Sequence, residues 1–348
     1  MTIIKTQKEE EAEKSGLPNE LQRFSEDLIS PQKVINLKKE VGLFDFNLYW
    51  LELKHNQKTV EGTFSFDQKL TRKLIVFVPG FPGDGSVRFE VNHLEEVAKN
   101  KYSIFCLRHN GTILNGKYSD NFIGFKSRQN QVKSAKSFKT IGSKQLYSMN
   151  DLINEPKTVL SVLAKEFEEI YLIGHSFGVL SIIYSLLDFS VESKNLISKI
   201  KRVVSLAGTT GIIRGAKSPV LKMWSQLLNS KTNQKIINLK QTADNLDFIK
   251  QAYNRIHLEA FDRIPNSIDF VFVFPWGDIP GSTDEFISPI ENLEFITNFG
   301  RGSLIIDKNQ KSDIKKNILA HDMNNLKTST ILDLIRNDKY LNKRIDVI

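Results

Sequence analysis

Ser176 lies between two glycines in Gly174-His175-Ser176-Phe177-Gly178 and is the residue best set for nucleophilic chemistry. A serine hydroxyl is a weak nucleophile by itself. It acts when a base takes its proton and a carboxylate fixes the tautomer of that base. The five-residue pattern arises easily by chance, so its surroundings carry the weight. The apolar run Ile170-Tyr171-Leu172-Ile173 leads directly into it, and Val179, Leu180, Ile182, Ile183, Leu186 and Leu187 follow it as a helix would require. A strand-to-helix turn of this kind exposes the hydroxyl above a sheet and keeps glycine where a Cβ would meet neighbouring elements. It also sets a helix N-terminus beside any oxyanion that develops.

The base must come from six histidines. His321, in Ile318-Leu319-Ala320-His321-Asp322-Met323, follows the last apolar run and precedes the helix-like stretch Ser329 to Ile335. The others fit surface or packed roles better. His55 falls in an early hairpin, His93 inside a predicted helix, His109 at a strand end and His257 in a long connection. His175 occupies the variable position of the motif, where a side chain points beside the serine. Two acids follow the run Phe270–Phe274: Asp278, nearest to its end, and Asp284, farther along. Glu285 and Asp307 are remote alternatives.

These residues need a scaffold, and the apolar runs supply one. Leu74–Val78, Ile104–Leu107, Ile170–Ile173, Val203–Ala207, Phe270–Phe274 and Leu304–Ile306 are short and apolar throughout. Strands apolar on both faces belong to a parallel sheet covered by helices, and their alternation with helix-length segments predicts an α/β fold. Predicted helices include one around His93-Leu94-Glu95-Glu96-Val97-Ala98 and one through Thr158-Val159-Leu160-Ser161-Val162-Leu163 that leads to Phe167, with Pro156 suited to a first turn. The alternation Asn47–Leu53, within Phe44–Phe66, predicts antiparallel strands ahead of the parallel set. The first 40 residues read as an N-terminal extension, a frayed start and then one amphipathic helix near Leu21 to Leu37. Two connections, roughly 110–150 and 209–268, exceed an ordinary crossover loop.

From about Leu43 onward the arrangement resembles the α/β-hydrolase family. The resemblance implies a mostly parallel central sheet, with a core over 41–208 and 269–348 and a helical lid insertion over 209–268. It implies Ser176 as nucleophile at the elbow. It implies His321 as base, since the order serine, acid, histidine is the family's. Asp284, in Gly281-Ser282-Thr283-Asp284, matches the family's Gly-x-x-Asp better than Asp278, which stays the alternative acid. The loop Pro79-Gly80-Phe81-Pro82-Gly83 stands where the family places its oxyanion loop, with Pro79 in place of a frequent histidine. The implied donors are the N–H groups of Phe81 and Phe177; Pro82 has none to give. Met223 and Trp224 would line an acyl pocket or pack the lid onto the core. The activity implied is hydrolysis of a carboxylic ester, with an apolar, lipid-like acyl substrate. A peptidase, a thioesterase, an acyltransferase and a non-catalytic binding protein are the alternatives.

Bulk properties exclude other classes. The chain has 348 residues, one cysteine and a net charge of +8. A lone Cys106 allows no internal disulfide and fits a reducing, cytoplasmic setting, which the charged N-terminus, lacking an apolar leader, also favours. Seven cations against Asp120 fall in 112–145, so six of the eight net charges lie there. That concentration argues against a nucleic-acid-binding protein and is compatible with either a solvated loop or peripheral contact with an anionic membrane surface. No ligand spacing for a metal and no phosphate-binding glycine loop is present, so no cofactor is expected.

Overall fold

The computed structural model describes residues 32–33, 47–66, 72–83, 85–112, 146–210, 218–277, 283–287, 289–313, 319–341 and 345–348. Its strands are β1 Gln32–Lys33, β2 Asn47–His55, β3 Lys58–Phe66, β4 Lys73–Val78, β5 Ser103–Arg108, β6 Glu169–His175, β7 Ile200–Leu206, β8 Asp269–Pro275, β9 Ser303–Asp307 and β10 Ile345–Val347. They form one sheet in the order β1-β2-β3-β5-β4-β6-β7-β8-β9-β10. From β5 to β10 every pairing is parallel, while β1, β2 and β3 are added antiparallel at one edge. The hairpin β2–β3 turns at Asn56 and Gln57, both at positive φ, as a two-residue turn matched to strand twist requires.

The continuous apolar runs are parallel strands buried on both faces. Along β4, Leu74, Val76 and Val78 face one core, and Ile75 and Phe77 face the other. The first core is closed by helices α3 Glu155–Leu163, α4 Phe177–Glu192 and α7 Asp244–Arg263. The second is closed by α1 Gly85–Lys99 and α9 Thr328–Arg336. The remaining helices are α2 Met149–Ile153, α5 Lys194–Ile197, α6 Pro219–Asn229 and α8 Pro289–Phe299. This crossed strand order, with β6 turning sharply into α4, is that of the α/β-hydrolase fold.

One sequence expectation is corrected. A helix was predicted over Leu21 to Leu37, yet Gln32 and Lys33 are extended and pair with Trp50 and Tyr49 of β2. The outer edge of β2 presents unpaired backbone groups, and a short edge strand satisfies them where a helix would not. The rest of that predicted helix lies outside the described residues, as do nearly all of the basic segment 112–145 and Asp278. Among the described residues, no helix is long and apolar enough to cross a membrane.

Candidate active site

The site is assembled at the C-terminal ends of the central strands. Ser176 sits between β6 and α4 with φ 50° and ψ −119°, a backbone region that costs a non-glycine residue about 1–3 kcal/mol. Neighbours hold it there: Ser176 N–H donates to Leu206 O at 3.0 Å, and Thr209 N–H donates to Ser176 O at 3.3 Å. Gly178 shows why the motif ends in glycine. A Cβ there would stand 2.1 Å from Val78 O and 2.7 Å from Pro79 O. The first turn of α4 therefore lies directly against the end of β4.

That contact brings the loop after β4 over the elbow. A Cβ on Gly80 would come within 3.0 Å of both Ser176 Cβ and His175 Nδ1. Phe81 follows, half-buried, and lines the same cavity as Ser176. Phe177 is the first residue of α4, so its N–H has no acceptor within the helix. The N–H of Phe81 and of Phe177 thus belong to the two segments that converge beside Ser176.

The loop is held from below by a buried pair. His109 Nδ1 lies 2.6 Å from Glu155 Oε2, and His109 Nε2 lies 3.1 Å from Pro79 O. Asn110 N–H donates to the other Glu155 oxygen at 2.7 Å, and the Thr112 hydroxyl donates to Pro82 O at 2.9 Å. Both nitrogens of His109 face oxygen, so ring and carboxyl together must hold one proton between them besides the N–H given to Pro79. Burial pushes the Glu155 carboxyl up, against the pull of His109 and the Asn110 N–H. Sequence reading placed His109 only at a strand end. Its role depends on Glu155, 46 positions away.

His321 follows β9 in a short 3-10 turn, Ala320–Asp322, and is fixed at three points. Its Nδ1 donates to Asp284 Oδ2 at 2.8 Å. Its backbone N–H donates to Glu285 Oε2 at 3.1 Å, beside Ala320 N–H on Glu285 Oε1 at 3.0 Å. Its carbonyl accepts from His175 Nε2 at 2.8 Å. Asp284 is held in turn: its Oδ1 accepts from the N–H groups of Phe286 and Ile287, both at 2.8 Å. The Asp284 side chain is fully buried and that of His321 nearly so. Burial alone would lower the His321 pKa. The charge and hydrogen bond of Asp284 outweigh it, with smaller help from Asp322 and Glu285, and the imidazole is raised above its ordinary value.

Ser176 and His321 line one cavity of about 190 Å³. Phe81, Met223, Leu227 and Phe286 are among its apolar lining residues. Trp224 is not among the lining residues. It is buried behind the wall, 5.9 Å from the Phe81 ring and 5.4 Å from that of Phe177, and its Nε1–H donates to Tyr253 at 3.1 Å. Asp307 accepts from Asn309 and Gln310 and takes no part in the cavity. The sequence makes Glu285 a remote acid and points His175 beside the serine; in the fold both hold the backbone of His321. Among the described residues no group of side chains is arranged to hold a metal.

No protein-family model and no curated protein matches the chain. Among solved structures it is similar to Est1E from Butyrivibrio proteoclasticus, seen with ferulic acid bound, at 14% identity and TM-score 0.45, covering 82% of this chain and 98% of that one. It is also similar to the thioesterase domain from the curacin biosynthetic pathway, at 11% identity and TM-score 0.44, covering 83% and 99%. An esterase from Pyrococcus furiosus is similar at 13% identity and TM-score 0.43, covering 77% and 82%.

Proposed function

We propose that this protein is a serine hydrolase that cleaves a carboxylic ester through an acyl-enzyme on Ser176. The observation that carries the reading is the His321–Asp284 contact of 2.8 Å at the wall of the cavity that Ser176 shares. With Nδ1–H directed to the carboxylate, His321 presents an unprotonated Nε2 as base. It takes the Ser176 hydroxyl proton as Oγ attacks the acyl carbon. The carbonyl oxygen becomes an oxyanion and accepts from the N–H groups of Phe81 and Phe177. Collapse breaks the ester bond, and the imidazolium gives its proton to the departing alkoxide. Water, deprotonated by the same nitrogen, then attacks the acyl-enzyme; the bond to Ser176 Oγ breaks, the imidazolium returns its proton to Oγ, and the acid is released.

The apolar lining residues Phe81, Met223, Leu227 and Phe286 suit an apolar acyl chain. Within 209–268, α6 serves as the lid, with Met223 and Leu227 in the cavity lining, while α7 packs on the core. A serine at the elbow favours acyl transfer over reactions that start from a carboxylate nucleophile.

The test is hydrolysis of aryl esters of increasing acyl length, with labelling by a fluorophosphonate. The wild-type protein should turn over the esters and take the label on Ser176, and Ser176→Ala should do neither. Full activity in Ser176→Ala, or label on another residue, would refute the mechanism.

A further inference from the structure

The lining of the cavity is not wholly apolar. Beside Phe77, Phe89, Leu206 and Leu326 it includes Asn92 and His93 of α1. His93 is only 6% exposed, packs its ring 4.9 Å from that of Phe89, and belongs to none of the steps above. Its Nδ1 lies 2.9 Å from Thr328 Oγ1. The Thr328 hydroxyl also reaches Asn92 O at 3.4 Å, which directs its proton there and leaves Oγ1 to accept from His93 Nδ1–H. The other ring nitrogen, Nε2, has no hydrogen-bond partner among the described residues.

We propose that His93 Nε2 receives a hydroxyl group of the substrate, so that the ester this site selects carries a hydroxyl on the portion lying under α1. The proposal rests on the serine-hydrolase reading for its chemistry but on His93 in the cavity lining for its recognition. Burial pushes the His93 imidazole down to about 3, so the ring stays neutral throughout the working range and keeps one nitrogen as acceptor. A nearly buried acceptor in the cavity lining is stripped of water by any ligand that covers it. A ligand with a hydroxyl there replaces the lost hydrogen bond, and one without it leaves Nε2 unpaired. Asn92, half-buried in the same lining, offers a second polar group to that hydroxyl. His93 holds one fixed place in that lining, so the preference should depend on hydroxyl position.

The experiment uses Ser176→Ala protein and calorimetric titration with aryl esters in matched pairs, the parent and analogues hydroxylated at successive positions. One hydroxyl position should bind about tenfold more tightly than the parent. His93→Phe in the same background should reduce that advantage to threefold or less. No position with more than threefold advantage, or an advantage that survives His93→Phe, overturns the proposal. Should His93→Phe not fold, nitrogen-15 spectra of histidine-labelled protein decide. The unprotonated Nε2 resonance should move upfield with the hydroxylated ligand and stay in place with the parent, and equal movement with both overturns the proposal. Binding is read without turnover, so a wild-type protein that cleaves no ester would refute the Ser176 chemistry and leave this outcome to stand or fall separately.

Discussion

His175 Nε2 donates to the carbonyl oxygen of His321 across 2.8 Å, joining the elbow to the loop that carries the base. The residue just before the nucleophile therefore sets the position of the histidine that would activate it. Replacing His175 by Leu should lower kcat about tenfold, the worth of roughly one hydrogen bond of 1–1.5 kcal/mol. His175→Gln keeps an N–H donor and should recover most of that loss. Steady-state kinetics on one ester checks both, and equal losses in the two variants would mean that the ring packs rather than positions.

The pH dependence follows from Asp284. The proposed reaction would need neutral His321, whose pKa is raised, so activity should climb with pH and its acid limb should lie above the ~6.5 of a free imidazole. Asp284→Asn removes the charge that raises it. The acid limb should then move to lower pH, and kcat should fall by roughly 10³–10⁴ as the tautomer is lost. Profiles of kcat/KM against pH for the two proteins test the direction. A limb that stays in place in Asp284→Asn would show that another group governs it.

Gly178 is a stability prediction. Its missing Cβ is replaced by Val78 O and Pro79 O at 2.1 and 2.7 Å, both backbone atoms that cannot swing aside. Gly178→Ala should cost more than about 3 kcal/mol, at the severe end of single substitutions. Urea denaturation reads this directly. A loss below 1 kcal/mol would mean that β4 and α4 separate easily.

The His109–Glu155 pair should behave as a unit. Either His109→Phe or Glu155→Leu strands a buried polar partner and should cost about 3–5 kcal/mol. The double variant should cost clearly less than the sum, because no unpaired charge remains between the two sites. The Pro79 carbonyl loses its donor in His109→Phe, so kcat should fall as well. Denaturation curves for the four proteins form the cycle, and additive costs would contradict a shared proton.

Most of the scaffold was legible in the sequence because a parallel strand covered on both faces has no polar alternation to obscure it. Each continuous apolar run from Leu74 to Ile306 became a strand, and the elbow fell between β6 and α4. The two extended residues of β1 were not legible. Gln32 and Lys33 have little strand character of their own and take their conformation from the free edge of β2.

What the sequence determined by itself was local: which apolar runs are the central strands, that Ser176 sits on a sharp turn, and that His321 follows the last of those runs. What only the tertiary structure decided was which side chains meet. Asp284 reaches His321 across 37 positions, Glu155 reaches His109 across 46, and Thr328 reaches His93 across 235. Local pattern reports the periodicity of burial, which neighbours in sequence share. Hydrogen-bond partners are set by the crossed order of the strands, and that order brings together residues that no spacing along the chain relates.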